Sequence, residues 1–298
     1  MAGRPSLISP FASSAIDMLP YPFELSFMQR ALIAGVAVGV FAPMIGTFAV
    51  QRGMSLIGDG IGHLAFAGVG AGLLAGAAGT WPVWGALGVA VAGSLALEWL
   101  RARGSASGDV ALALFFYSGI AAGVVLAGLG GQLGAGVLVY LFGQPLTVDD
   151  SEIAVVLGLG AGIVLVVLLL RRVLFAVVTD EEWSRIAGLP VGFVNALLAV
   201  LIAISVVAAM RIVGILLVAA MMVLPVASGQ LLARSFRGTL WSSVVIGVTA
   251  VVLGLAASRI WGLAPSGTIV LVASASFTVV ALVKRGRVPR LRAERSGR

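Results

Sequence analysis

EIAVVLGLGAGIVLVVLLL, residues 152–170, decides the fold class. Its only charge is Glu152, at the start, and Arg171 and Arg172 follow its end. A helix needs about 20 apolar residues to cross the hydrocarbon core of a bilayer, and this run has that length. Similar runs lie on both sides of it, near 27–48, 60–78, 82–100, 109–127, 192–210, 213–232, 241–258 and 265–283. A further stretch, 133–145, is apolar but about half the spanning length, as expected of a re-entrant or packed segment. The chain therefore reads as an all-α polytopic membrane protein, with about nine transmembrane helices plus that short piece.

Composition agrees. Of 298 residues, 60% are hydrophobic and 10% charged, and mean hydropathy is +1.13. A soluble domain carries roughly 25% charged residues, so this chain lacks the means to solvate a surface. We read 27–283 as a single transmembrane domain. Residues 1–26 hold Asp17, Glu24 and four prolines, without the continuous apolar core of a signal peptide. They are expected to form a leader, with an interfacial stretch around Tyr21 to Phe27. The tail 284–298 sets seven basic residues against Glu294 alone. After an apolar helix, such a tail marks the cytoplasmic side rather than a nucleic-acid partner.

Orientation follows from the arginines. With the tail inside, the loops bearing Arg234 and Arg237, Arg171, Arg172 and Arg185, Arg101 and Arg103, and Arg52 all fall inside. The loop 143–152, with Asp149, Asp150 and Glu152, falls outside. Arg211 and Arg259 depart from this bias, each in a short outer connection. Nine spans place the N-terminus outside; a full crossing by 133–145 would move it inside.

Several chemistries are excluded. The chain has no cysteine, hence no disulfide, thiolate metal site or cysteine nucleophile. Its only lysine, Lys284, is not in a P-loop, so the chain is not a self-contained P-loop ATPase. H-E-x-x-H is absent, and Ser266-Gly267 has no catalytic companion. Met210, Met221 and Met222 read as gap fillers in apolar helices. The crowd of glycines Gly58, Gly60, Gly62, Gly68, Gly70, Gly72 and Gly76 reads as helix packing. Pro225 should kink the seventh span.

Two features remain. Asp59 and His63 stand at i and i+4, on one face of a helix, and His63 is the only histidine. A carboxylate at the centre of a membrane helix costs about 2.5–3.5 kcal/mol, which calls for a partner or a watery path. The alternative is that Asp59 caps the second span and His63 satisfies a local carbonyl. The second feature is 180–190. Thr179 and Glu182 form a T-x-x-E capping box, with Asp180 and Glu181 in the first turn. Trp183, Ile186 and Ala187 share one face, and Gly188 and Pro190 stop the helix. This short amphipathic helix either rests on lipid or docks into a partner.

At these residues the chain resembles a known family, the ZnuB-like permeases of zinc and manganese ABC importers. The resemblance runs from Tyr21-Pro22-Phe23 and Phe27 to Leu32, through Gly46-Thr47-Phe48 and the block from Arg52 to Asp59 and His63-Leu64-Ala65. It continues in the block from Thr179 to Pro190-Val191, in Arg211 to Val218 and Leu224 to Ala227, and in Ala264 to Leu271. The D-x-x-x-H and A-G-L-P-V blocks are the most specific. Gly53, where relatives often have a second basic residue, and the long polar leader depart from the pattern.

The resemblance implies an ABC-importer permease in the cell inner (plasma) membrane. It implies a separate ABC ATPase subunit that binds ATP, an extracytoplasmic metal-binding protein, and a second permease copy in a homodimer. No cofactor is expected to stay bound; zinc or manganese would pass through. Asp59 and His63 match the family's metal path. Asp180, Glu181, Glu182, Trp183, Ile186, Ala187 and Gly188 match its ATPase-coupling helix. In a two-fold dimer two carboxylates and two imidazoles could meet, a set that suits zinc or manganese. The competing functions are a proton-coupled secondary transporter working through Asp59 and an intramembrane enzyme.

Overall fold

The computed structural model describes residues 21–75, 81–103, 108–131 and 135–287. Residues 1–20 of the expected leader, Gly76 and the tail beyond Arg287 lie outside the described residues. The regular elements described are all helices: α1 Ser26–Gln51, α2 Ile57–Leu74, α3 Trp81–Ala102, α4 Gly108–Leu129, α5 Ala135–Phe142, α6 Asp150–Thr179, α7 Glu181–Ile186, α8 Val191–Val213, α9 Ile215–Leu232, α10 Phe236–Trp261 and α11 Pro265–Arg287. A single 3-10 turn, Pro145–Thr147, follows α5. Among the described residues, eight helices are long and apolar enough to cross a bilayer. The remaining expected span, the seventh, is α9, which has 18 residues, within the spanning range.

Burial sorts these helices into inner and outer ones. Along their spans α1, α2 and α8 are 72%, 67% and 72% buried, whereas α4, α6 and α11 are each 22% buried. Of these, α8 packs on both α1 and α2, and all three pack on α9. The outer helices present apolar side chains such as Leu114, Leu169 and Leu271 to their surroundings, as lipid requires. Small residues permit the closest approaches. A methyl added at Gly68 of α2 would lie 2.6 Å from the Gly85 carbonyl of α3.

The described part of the stretch 133–145, from Ala135 on, is too short to cross. Its helix α5 has 8 residues, and its end is pinned where α8 gives way to α9. There Gly214 adopts a φ of 88°. The Gln144 amide donates to the Arg211 carbonyl at 3.0 Å, and the Ser266 hydroxyl donates to the Phe142 carbonyl at 2.6 Å. Arg211, one exception to the arginine bias, is ion-paired with Glu152 and faces the Tyr140 ring. Its charge is thus neutralised locally.

Two boundaries differ from expectation. The basic loop 171–191 is largely helical, because α6 runs unbroken for 30 residues to Thr179. No glycine or proline interrupts it after Arg172. Thr179 accordingly ends α6 and does not cap the next helix. The N-cap of α7 is Asp180, in an extended conformation, whose carboxylate accepts from the Trp183 amide at 2.8 Å. A true capping box occurs at Asp149 and Glu152, where α6 begins. The Glu152 amide bonded to Asp149 is the main reason that the Asp149 carboxyl lies below its ordinary pKa.

Candidate functional site

Asp59 occupies the first turn of α2 and His63 the second. The helix begins at Ile57, three residues before the expected span, so both side chains belong to regular helix. The N-cap, Leu56, makes no side-chain cap. The Asp59 carboxylate instead faces the imidazole, with His63 Nε2 3.6 Å from Asp59 Oδ1. That exceeds the usual 2.7–3.2 Å of an N–H···O bond, roughly speaking.

The two side chains differ in access. His63 is 3% exposed and Asp59 30%. The imidazole packs edge-on against Phe116 of α4, with ring centroids 4.2 Å apart. His63 Nδ1 is buried without a hydrogen-bond partner, so no local carbonyl satisfies it. The pocket owes its tightness to Gly119 of α4. A methyl there would sit 2.6 Å from the His63 carbonyl, so only glycine lets α4 reach the α2 backbone at this level. Among the described residues no three of His, Cys, Asp and Glu gather to hold a metal. One chain contributes a pair.

The second candidate, α7, lies at the end of the molecule where α1 gives way to α2. Asp180 caps it, and Glu181 pairs with Arg185 at 3.0 Å. Its exit is a Schellman turn. The Gly188 amide donates to the Arg185 carbonyl, and the Leu189 amide to that of Ser184. Gly188 has a φ of 79°, a conformation that glycine adopts without penalty. Trp183 and Ile186 are 67% and 74% exposed, while Ser184 is buried. Two large apolar side chains thus project from a six-residue helix whose other side is anchored. Glu182 and Ala187 complete the expected set.

The two regions are joined by Arg52, which in the sequence marks a cytoplasmic loop and opens the block that runs to Asp59. One of its guanidinium nitrogens lies 3.4 Å from Glu98 at the end of α3 and 3.3 Å from Glu181 of α7. Arg52 sits in the turn between α1 and α2, so it ties α7 to the segment leading into Asp59. The pairing draws on residues 46 and 129 positions away, and no local motif signals it. A cavity of about 630 Å³ beside this triad is lined in part by Leu95, Arg101 and Asn195.

The model of the ABC 3 transport family matches residues 24–284. The manganese transport system membrane protein MntC of Halalkalibacterium halodurans is 34% identical over 85% of this chain and 86% of its own. The manganese import system permease protein ScaB of Streptococcus parasanguinis is 31% identical, covering 86% and 90%. Among solved structures, PsaBC from Streptococcus pneumoniae in complex with Fab gives a TM-score of 0.78 at 31% identity. That match covers 86% of this chain and 91% of the other.

Proposed function

The chain belongs to the ABC 3 transport family, and from that premise we propose that it carries divalent manganese or a similar first-row metal ion through the cell inner membrane. It is the membrane subunit of an ATP-driven importer, with ATP bound and hydrolysed by a separate subunit. Family membership and the relatives named for manganese transport displace the proton-coupled alternative.

The observation that carries the reading is the Asp59–His63 pair, with His63 Nδ1 unpartnered and Nε2 turned to a carboxylate at 3.6 Å. Two donors sharing a tetrahedral ion at about 2.0–2.1 Å stand about 3.3–3.4 Å apart. The separation therefore suits a shared ion after a small adjustment. Carboxylate and imidazole without thiolate suit manganese or zinc. A pair of ligands binds weakly enough to release, as a path must. For the pairs of two copies to converge, the second copy would lie along the α2–α4 edge in a homodimer. Metal would arrive from an extracytoplasmic binding protein, and α7 would receive the ATPase.

The test is uptake by proteoliposomes holding the chain with its ATPase and supplied with the binding protein. Radiolabelled manganese should accumulate only with enclosed ATP, and a protonophore should leave the rate unchanged. Uptake that survives ATP removal and stops with the protonophore would restore the secondary-transport reading.

A further inference from the structure

The second large cavity lies far in sequence from the metal pair. It measures about 440 Å³ and opens between α6 and α10. Three guanidinium-bearing residues line it: Arg171, Arg172 and Arg237. Leu168, Phe175, Leu240 and Trp241 form much of the apolar remainder. None of the three arginines has an ion-pair or hydrogen-bond partner among the described residues. Elsewhere at the helix ends Arg30, Arg52, Arg185 and Arg211 are each paired with a carboxylate. The cavity thus collects three uncompensated cations beside an apolar wall.

Its depth follows from the helices themselves. At 1.5 Å per residue, Arg171 and Arg172 stand about 32 Å along α6 from Asp150. Arg237 stands about 33 Å along α10 from Arg259. Both lengths match the thickness of a hydrocarbon core, about 30 Å. The three arginines therefore sit at one headgroup level, and the apolar wall extends toward the acyl chains. Trp241, 52% exposed, begins the next turn of α10, where membrane-interface tryptophans concentrate. The cavity also abuts the start of α10, whose dipole favours an anion.

We infer that this cavity binds the phosphate of an anionic glycerophospholipid, with the acyl chains along Leu168, Leu240 and Trp241. A cluster of cations next to lipid-facing apolar surface requires a ligand that is both anionic and amphipathic. A lipid meets that requirement; free phosphate would meet only half of it. The inference does not depend on the metal reading.

The test uses the purified full chain in neutral detergent, with thermal stability followed during titration. The probes are dioleoylphosphatidylglycerol, dioleoylphosphatidylcholine and inorganic phosphate. Phosphatidylglycerol should stabilise the protein at the lowest concentration, and phosphate should not replace it. A basic residue near an anionic lipid surface changes affinity about five-fold. Arg237→Gln should then shift the midpoint about five-fold, and the triple change with Arg171→Gln and Arg172→Gln on the order of 100-fold. Arg103→Gln, at the end of α3, should leave it in place. If the triple variant does not fold, the Arg237→Gln shift decides. Equal stabilisation by phosphate would overturn the lipid assignment. An equal loss in Arg103→Gln, or no shift in Arg237→Gln, would overturn the site. So would unchanged lipid binding in a triple variant that no longer co-purifies with the ATPase, since the arginines would then serve the partner.

Discussion

A buried polar atom without a partner costs about 1–3 kcal/mol, and His63 Nδ1 is such an atom. The fold retains it beside Phe116 although an apolar side chain of similar volume would fit. His63→Leu is therefore expected to keep or raise the melting temperature while manganese uptake falls at least tenfold. A lower melting temperature with normal uptake would instead make His63 a packing residue. Arg52 invites a different experiment. Both of its carboxylate partners belong to other helices, and Glu98 is 12% exposed. Arg52→Gln should leave the ATPase attached and hydrolysing, but lower uptake several-fold, with partial recovery in Arg52→Lys. Loss of hydrolysis and uptake in equal measure would remove Arg52 from any linking role and make it an assembly residue.

At the scale of elements, α7 makes the clearest commitment. Trp183→Asp or Ile186→Asp adds a charge to an exposed position, so folding should be spared while recovery of the ATPase with the chain falls. Normal co-purification of both variants would contradict docking. Most of this helix was legible in the sequence, because its stop, Gly188 then Pro190, is local chemistry. Its start was misplaced by one residue because Thr179 and Asp180 are both competent caps, and only the length of α6 decides between them. The spans were legible for the same reason that membranes are restrictive: the backbone must satisfy itself in lipid. The extent of α6 beyond Arg172 was not, since Arg171 and Arg172 mark where the bilayer ends but nothing near them stops the helix. Nor were the Arg52 and Arg211 pairings, which depend on how α3 and α7, and α6 and α8, come together. The Asp59–His63 pair was readable because i, i+4 spacing needs no tertiary information.

Across the whole molecule, the charges divide between two ends. Arg30 with Asp150, and Arg211 with Glu152, lie at one end; Arg52 with Glu98 and Glu181 lie at the other. Reporter fusions should accordingly find Asp150 on the extracytoplasmic side and the position after Arg285 on the cytoplasmic side. Both reporters on one side would break the nine-span arrangement. The path we propose between these ends passes α2, which is inner, glycine-rich and the bearer of the one aspartate–histidine pair. The measurement that bears most directly on this account is manganese uptake by the reconstituted complex carrying Asp59→Asn. That change keeps the shape of the side chain and deletes its charge. The account predicts a variant that inserts, holds its ATPase and hydrolyses ATP, yet accumulates manganese at less than about a tenth of the wild-type rate, the loss of about 1.4 kcal/mol or more of transport barrier stabilisation. An assembled Asp59→Asn complex that transports at the wild-type rate would contradict it.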